Sequence, residues 1–546
     1  MTLQMPECVS TRVVRRTASS RARGASAGES GRERGRSYVV RQFASAALPA
    51  GKSVEKESGV RAGGYSKKGM SRTCVCRRTD SRWVTWDGPN DPLNPRNWTL
   101  GEKWSATIIV SIFAFMTPIS SSMVAPALPA ISRSMHITSP VLENLTVSFF
   151  VLGYAFGPML FGPLSEVYGR VPILQVANLV YLVFNVACAL ARSQTQLLVF
   201  RFLSGFGGAA PLALGNGVLG DCWSPADRAK SVAIYTLAPL LGPAIGPIMG
   251  GFVAQYSSWR WVFWATSIAD GAVQAAGLVW LRESWAPAVL RQKCRRLRKE
   301  TGNEALYTVH DNIRLVDHLA RALVRPFRLL LTQPIVQVLS VYMAYLFGIM
   351  YLLLTSFPRL WTGVYGEAAG VGGLNYISLG LGLCFGTQLT ARANTILYRR
   401  YTAGGTKPGA PWMRLPMLFP GAALAPVGLL VYGWSARFHT HWIVPNVGAF
   451  LFITGAIMTF GCIRLYLVDA YSTYAASAIA AAFFLRSMAA FGFPLFAPDM
   501  YANLGYGWGD TVLALVAVVV GWPAPVLLWW YGERLRGMSK YAAGGD

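Results

Sequence analysis

Apolar runs of about twenty residues recur along this chain from Trp104 to Tyr531. As a helix, each run is long enough to cross a hydrocarbon core of roughly 30 Å. In lipid a segment must satisfy its backbone hydrogen bonds internally, and a helix does this without a partner. Twelve spans are expected, at approximately 104–128, 141–162, 171–191, 196–219, 229–254, 258–281, 335–356, 372–391, 413–434, 441–467, 473–498 and 509–531. The fold class is therefore an all-α membrane protein.

Composition agrees. The 546 residues are 53% hydrophobic and only 14% charged, where soluble domains carry about a quarter charged residues. A net charge of +25 in a soluble chain would point to nucleic acid. Here Lys and Arg fill the gaps between apolar runs and an N-terminal tail, so membrane topology accounts for them and no nucleic-acid partner is implied.

Residues 1–83 hold 18 Lys/Arg against 6 acids and no sustained apolar stretch, and are expected to form a disordered basic tail. An organelle transit peptide and a misplaced start codon are the other readings of this segment. Residues 84–103 lead into the membrane, 104–281 form a first six-helix bundle, 282–334 a linker, 335–531 a second six-helix bundle and 532–546 a C-terminal tail. The linker carries 11 Lys/Arg against 5 acids, which groups the spans as six plus six.

Basic residues collect on one side: the tail, the linker, Arg392, Arg399, Arg400 and Lys407 after span 8, and Arg534, Arg536 and Lys540 at the end. That side, with both termini, is expected to be cytoplasmic. Asn144-Leu145-Thr146 is then an external sequon, set too close to span 2 for ready modification. The eight cysteines are scattered and give no disulfide framework, and Cys74 and Cys76 lack the second pair a zinc site needs. Gly51-Lys52 is the only Gly-Lys pair and has no phosphate loop around it; no cofactor, metal or ATP is implied.

Several motifs carry chemistry. Gly162-Pro163-Leu164-Ser165-Glu166-Val167-Tyr168-Gly169-Arg170 after span 2 forms a tight turn with a carboxylate and a guanidinium, and Asp221 and Arg228 in the next connection on that side are possible latch partners. Arg201 lies about one and a half turns inside span 4; an Arg there costs about 2.5 kcal/mol or more at the bilayer centre, so it is a functional candidate unless it snorkels to the interface. Span 5 holds Gly242, Pro243, Gly246, Pro247, Gly250 and Gly251, with the glycines at 242, 246 and 250 on one face and the prolines favouring a bend. Asp270 in span 6 suits a proton or cationic substrate, or equally a structural polar pair, and Arg486 in span 11 suits interhelical packing or the cavity wall. Tyr345, Tyr351 and Tyr376 suit a pocket for flat or cationic molecules, or simply the core.

Taken together, these stretches resemble the major facilitator superfamily. The 162–170 turn is similar to its cytoplasmic signature, with Glu166 where many members have Asp, and the doubled Gly-Pro run of span 5 is similar to its antiporter signature. Trp86-Asp87-Gly88-Pro89-Asn90-Asp91-Pro92-Leu93-Asn94-Pro95-Arg96-Asn97-Trp98 and Ser120-Ser121-Ser122-Met123-Val124-Ala125-Pro126 resemble the fungal twelve-span drug:proton antiporters, in the polyamine and multidrug exporter branch. The resemblance implies a plasma-membrane, monomeric carrier of small molecules coupled to protons, with Arg201 in the coupling role; it implies no enzymatic activity. A nutrient importer or facilitator, a membrane sensor and an ion channel are the competing readings, the last two lacking signalling domains and a filter. The chain departs from the family at Arg392-Ala393-Asn394-Thr395-Ile396, where an acid and a second base are missing, and at Trp412 and Arg464. Those losses put a second-half counterpart of the Glu166 latch in doubt.

Overall fold

The computed structural model describes residues 82–224, 227–308, 315–402, 410–539 and 541–542. Residues 1–81 of the expected tail, with Cys8, Cys74 and Cys76, lie outside the described residues, as do Lys407 and Lys540. Residues 80–546 belong to one compact unit.

Ten of the expected spans appear as separate helical stretches: Leu100–Ser134, Pro140–Tyr168, Arg170–Leu190, Gln194–Cys222, Lys230–Tyr256, Arg260–Trp280, Pro334–Val364, Ala369–Tyr401, Pro411–Arg437 and Ile443–Ala470. The remaining two differ from expectation. A single helical stretch runs Ala475–Gly521, so 499–508, expected to be a loop, is helical up to a break at Gly505 with φ 69° and ψ 172°. As one rod its 47 residues would reach about 70 Å, more than twice the hydrocarbon thickness. The left-handed glycine divides it into spans 11 and 12 and restores the count of twelve. Span 12 ends at Trp522, and Pro523 starts a further helix to Gly537.

The helix ends follow local sequence. Thr99 caps span 1 and Glu102 returns a bond to the Thr99 amide, a reciprocal cap. Pro140 and Pro334 open spans 2 and 7, where a missing amide proton costs nothing.

Packing repeats between the halves. In the first, spans 1 and 5, 2 and 4, and 3 and 6 pair; in the second, spans 7 and 11, 8 and 10, and 9 and 12. Between the halves, span 2 meets span 11 and span 5 meets span 8. Exchanging the halves, six added to a first-half span and six taken from a second-half one, turns the pair 2 and 11 into 8 and 5, so two similar bundles face each other about an approximate twofold axis. We call the side carrying the linker helices and the first and last described segments the linker face, and the opposite side the far face.

The linker contributes two helices, Ala286–Thr301 and Leu315–Thr332. The first is clasped by the pre-membrane segment. Lys293 Nζ lies 2.7 Å from Asp87 Oδ1 and 3.2 Å from Asp91 Oδ2, and the Val84 amide donates to the Tyr307 carbonyl at 3.0 Å. Burial alone would raise the Asp91 carboxyl, but amides of Asp87 and Leu93 and the Lys293 ammonium outweigh it and hold the group below its ordinary value. The Trp86–Trp98 motif is thus a structural fastening for the linker.

Candidate functional site

Close helix approach builds the site. Side chains are excluded along one edge of span 5: a Cβ on Gly242 would fall 3.1 Å from the Ile119 amide, and one on Gly246 would fall 2.9 Å from the Ile119 carbonyl and also strike Ser122 Oγ. A Cβ on Gly250 would strike the Met123 carbonyl. The same helix turns another edge to the second bundle, where Gly251 faces the Ala369 carbonyl at 2.6 Å from a would-be Cβ and Gly373 faces the Pro247 carbonyl at 3.0 Å. The Gly-Pro run, Pro243 and Pro247 included, therefore joins span 1 on one side and the opposite bundle on the other. Sequence reading identified the first contact type but missed Gly373 and Gly380, which receive span 5 from span 8.

Span 1, so held, meets Arg201. This guanidinium is fully buried and does not snorkel. Its Nε donates to the Thr146 carbonyl at 3.0 Å and Nη1 to the Ser120 carbonyl at 3.2 Å, while Nη2 has no partner. The charge sits 4.4 Å above the Phe150 ring. No carboxylate lies within ion-pair distance of Arg201 among the described residues, Asp270 included, in this conformation.

Asp270 is also fully buried. Oδ2 accepts from Asn178 Nδ2 at 2.9 Å, which also donates to Gln274 Oε1 at 2.9 Å; Oδ1 has no partner. One helical turn away, Thr266 and Ser267 accept from Asn185 Nδ2 at 2.9 and 2.8 Å, and Asn185 Oδ1 accepts from Ser120 Oγ at 3.2 Å. A polar seam thus runs from Arg201 through Ser120 and Asn185 to span 6, the helix that carries Asp270. Buried amides and hydroxyls of this sort tie helices in register because leaving any of them unpaired costs about 1–3 kcal/mol.

At the linker face Arg170 gathers the first bundle's latch. Its Nη1 donates to Ser165 Oγ at 2.7 Å, its Nε lies 3.5 Å from Asp221 Oδ2, and its guanidinium stacks 4.5 Å over Trp285. Glu283, which sequence reading placed in the linker without a role, accepts the amides of Arg170 and Val171 at 2.9 and 3.1 Å and so caps span 3. Gly169, at φ 109°, is needed because a Cβ there would strike that carboxylate. Glu166 contributes its carbonyl to Trp285 Nε1 at 2.9 Å. Arg228 donates to the carbonyls of Gly220 and Trp223 at 2.9 and 3.4 Å, so its bonds go to backbone rather than to Asp221.

The second bundle has a latch after all. Arg414, in the first turn of span 9, lies 2.8 Å from Asp469 at the end of span 10 and 3.8 Å over the Tyr398 ring. Asp221 ends span 4 and Arg170 opens span 3, so the two pairs occupy equivalent places in the two halves. This pair lies outside the Arg392–Ile396 stretch, so the departure there does not leave this side of the second bundle without a charged pair.

Arg486 sits in span 11, half-buried, 3.9 Å over Phe483 and 4.5 Å over Phe347. Tyr345 and Tyr376 commit their hydroxyls to the carbonyls of Leu513 and Leu354, each at 2.7 Å, so both serve packing in this conformation. At the far face the bundles are fastened together: Arg359 of span 7 lies 2.7 Å from Glu143 of span 2, Asn144 Nδ2 donates to the Pro494 carbonyl at 2.6 Å, and the Gly370 amide donates to Gln255 Oε1 at 2.8 Å. Asn144, the sequon residue, is buried in this contact.

Paired helical bundles with an approximate twofold axis, a closed gate at one end and charged latches at the other define a membrane carrier. The chain belongs to the Major Facilitator Superfamily, whose sequence profile matches residues 110–494. It is 48% identical over 465 residues to the efflux pump vrtL of Penicillium aethiopicum, covering 85% of this chain and 92% of that one. It is 42% identical to the efflux pump radE of Floropilus chiversii over 85% of this chain and 86% of that one. The inward open structure of the xylose transporter XylE from E. coli has the same fold, with a TM-score of 0.58 at 16% identity over 81% of this chain and 98% of that one. A bacterial homologue of the lysosomal transporter Spinster, in an inward-facing conformation, gives 0.56 at 15% identity over 80% and 98%.

Proposed function

We propose that the protein is a secondary transporter that exports small organic molecules of the drug or secondary-metabolite kind, driven by protons moving inward. The linker face is cytoplasmic, on the strength of its basic residues, and the far face is external. Export is supported by the efflux pumps among its relatives. The observation that carries the proton coupling is the buried Arg201 with a donor to spare, joined by the seam of Ser120 and Asn185 to the helix bearing Asp270.

In this reading the two bundles rock about the span 2 and 11 and span 5 and 8 contacts. The described conformation has its far gate shut by Glu143, Asn144 and Gln255. Opening that gate requires the Arg170 and Arg414 sites to engage the opposing bundle or its linker at the other end. Asp270, with one oxygen unpartnered, takes the proton, and its change of charge is felt at Arg201 through the shared polar seam.

Accumulation of a panel of labelled aromatic, cationic and anionic compounds in cells with and without the protein, under acidic and neutral medium, tests this. Reduced accumulation that deepens with external acid supports it. Increased accumulation would make the protein an importer. The assigned orientation is tested separately, since protease cutting of the 6–7 linker from outside intact cells would reverse it.

A further inference from the structure

A second buried acid lies in the other bundle, outside the seam just described. Asp510, in span 12, is fully buried. Its Oδ1 accepts from the Tyr501 hydroxyl at 2.8 Å, and its Oδ2 has no partner. A Cβ on Gly433 of span 9 would lie 2.6 Å from Asp510 Cβ, so that helix closes directly over the acid. Ionisable neighbours on the packed elements are Tyr432 and Arg437 on span 9, Tyr501 and Tyr506 at the turn between spans 11 and 12, and Arg359 at the end of span 7. Neither guanidinium comes within ion-pair distance of Asp510; Arg359 is committed to Glu143 and Arg437 lies over Trp434.

Tyr501 does two things at once. Its hydroxyl holds Asp510, and its side chain lines a cavity of about 210 Å³ at the far face, together with Tyr506, Arg359, Asn144 and Thr355. The Tyr501 and Tyr506 rings stack with centroids 4.6 Å apart, which fixes the hydroxyl in place. The cavity is large enough for water and is lined by enough polar groups to hold it. An ionised carboxylate at Asp510 would leave one charged oxygen without a donor in a dry site, which is costly. A neutral acid has no such cost.

We propose that Asp510 is a proton-binding site of the second bundle, loaded from the far face through Tyr501. A hydronium ion from the far-face medium, relayed by water in the cavity, gives a proton to Tyr501 Oη while the Tyr501 hydroxyl passes its own proton to Asp510 Oδ1. Tyrosine is unchanged, one O–H bond forms on the carboxylate, one O–H bond of the hydronium breaks, and the hydronium is left as water. Loading takes place when the cavity widens as the Glu143–Arg359 gate opens toward the acidic far side. Use of this site in transport rests on the proton-driven reading above; proton binding at Asp510 does not.

The test is infrared difference spectroscopy of the full chain in lipid vesicles, titrated from acid to alkaline pH and then exchanged into D2O. Wild type is expected to show a carboxylic acid C=O band that declines at alkaline pH. Asp510→Asn should remove one component of it and Asp270→Asn a different one. Tyr501→Phe should leave the Asp510 component present but slow its deuteration by about tenfold, the scale of losing one ordinary hydrogen bond. Thermal unfolding and elution profile check that each variant is folded. A spectrum unchanged by Asp510→Asn overturns the proposal. A component that never responds to pH makes Asp510 a fixed structural acid and also overturns it. Unslowed deuteration in Tyr501→Phe overturns the path. Failure of wild type to export under a proton gradient would sink the proton-driven reading and leave these spectra as they stand.

Discussion

Replacing Gly246 by Leu tests whether packing in span 5 sets the geometry of the candidate coupling site. A Cβ at 246 lies 2.9 Å from the Ile119 carbonyl and 3.1 Å from the Met123 amide, where ordinary contact begins near 3.4 Å. Span 1 must therefore retreat by at least about 0.5 Å for Ala, and further for the branched Leu, at a cost of about 1–3 kcal/mol for overpacking. Ser122 cannot simply turn away, because its hydroxyl is held between the Pro118 carbonyl at 2.8 Å and the Gly242 carbonyl at 3.2 Å; losing that hydrogen bond adds about 0.5–1.5 kcal/mol. The total, roughly 2–4 kcal/mol, falls on one turn of span 1, the turn whose Ser120 carbonyl receives Arg201. A displacement of about 1 Å at such a place is enough to cost on the order of a hundredfold in a geometry-dependent step. Cells carrying Gly246→Leu should therefore lose nearly all export, while detergent-extracted protein still elutes as a single folded species. Gly246→Ala should fall between. Normal export by Gly246→Leu would show that the glycine edge is an ordinary bend and would refute the link between span 5 and Arg201.

Arg201→Ala should retain equilibrium binding of substrate, measured by ligand-induced thermal shift, yet lose the acceleration of export by external acid; Lys there should rescue only in part, because it lacks the planar fork that reaches two carbonyls. Glu143→Gln should weaken the far gate by about 1 kcal/mol, since Arg359 is 35% exposed and solvent screens the pair; labels on either side of the gate should report a roughly fivefold gain in the open population, and an unchanged distance distribution would exclude a gating role. Asp91→Asn should loosen the linker clasp by about 1–3 kcal/mol, read as faster protease cutting near Lys293. In the wild type the lowered carboxyl of Asp91 stabilises the clasp above the unfolded carboxylate value of about 3.9, and this is lost as pH falls through the folded value; the raised ammonium of Lys293 acts below its own unfolded value and fades only at strongly alkaline pH. Protease resistance should therefore be flat around neutrality and drop only in acid or in strong alkali, and a loss near pH 7 would contradict the assignment.

Much of the fold was legible because hydropathy alone marks a segment that must live in lipid. The division of spans 11 and 12 was not. Asp499, Asn503 and the aromatic residues through Trp508 lower the hydropathy as a loop would, yet the backbone stays helical to Leu504 and turns on the single positive φ of Gly505. Arg201 and the Gly-Pro run stood out in sequence because their chemistry is conspicuous where they lie. Glu283 did not, since its role depends on reaching the start of span 3 more than a hundred residues earlier. Asp510 follows Gly509 at what reads as a helix boundary, and only the closing of span 9 over it reveals that it is buried. Arg414 and Asp469 are 55 residues apart, and nothing short of the folded bundle brings them together.

Export against an imposed proton gradient by the purified protein in sealed vesicles tests the central claim most directly. Vesicles are loaded so that the far face meets the acidic compartment, and movement of a fluorescent aromatic compound from the linker side is followed with and without a protonophore. The account predicts movement toward the acidic side that stops when the gradient is collapsed and that Arg201→Ala loses. Equal rates with and without the gradient would contradict it.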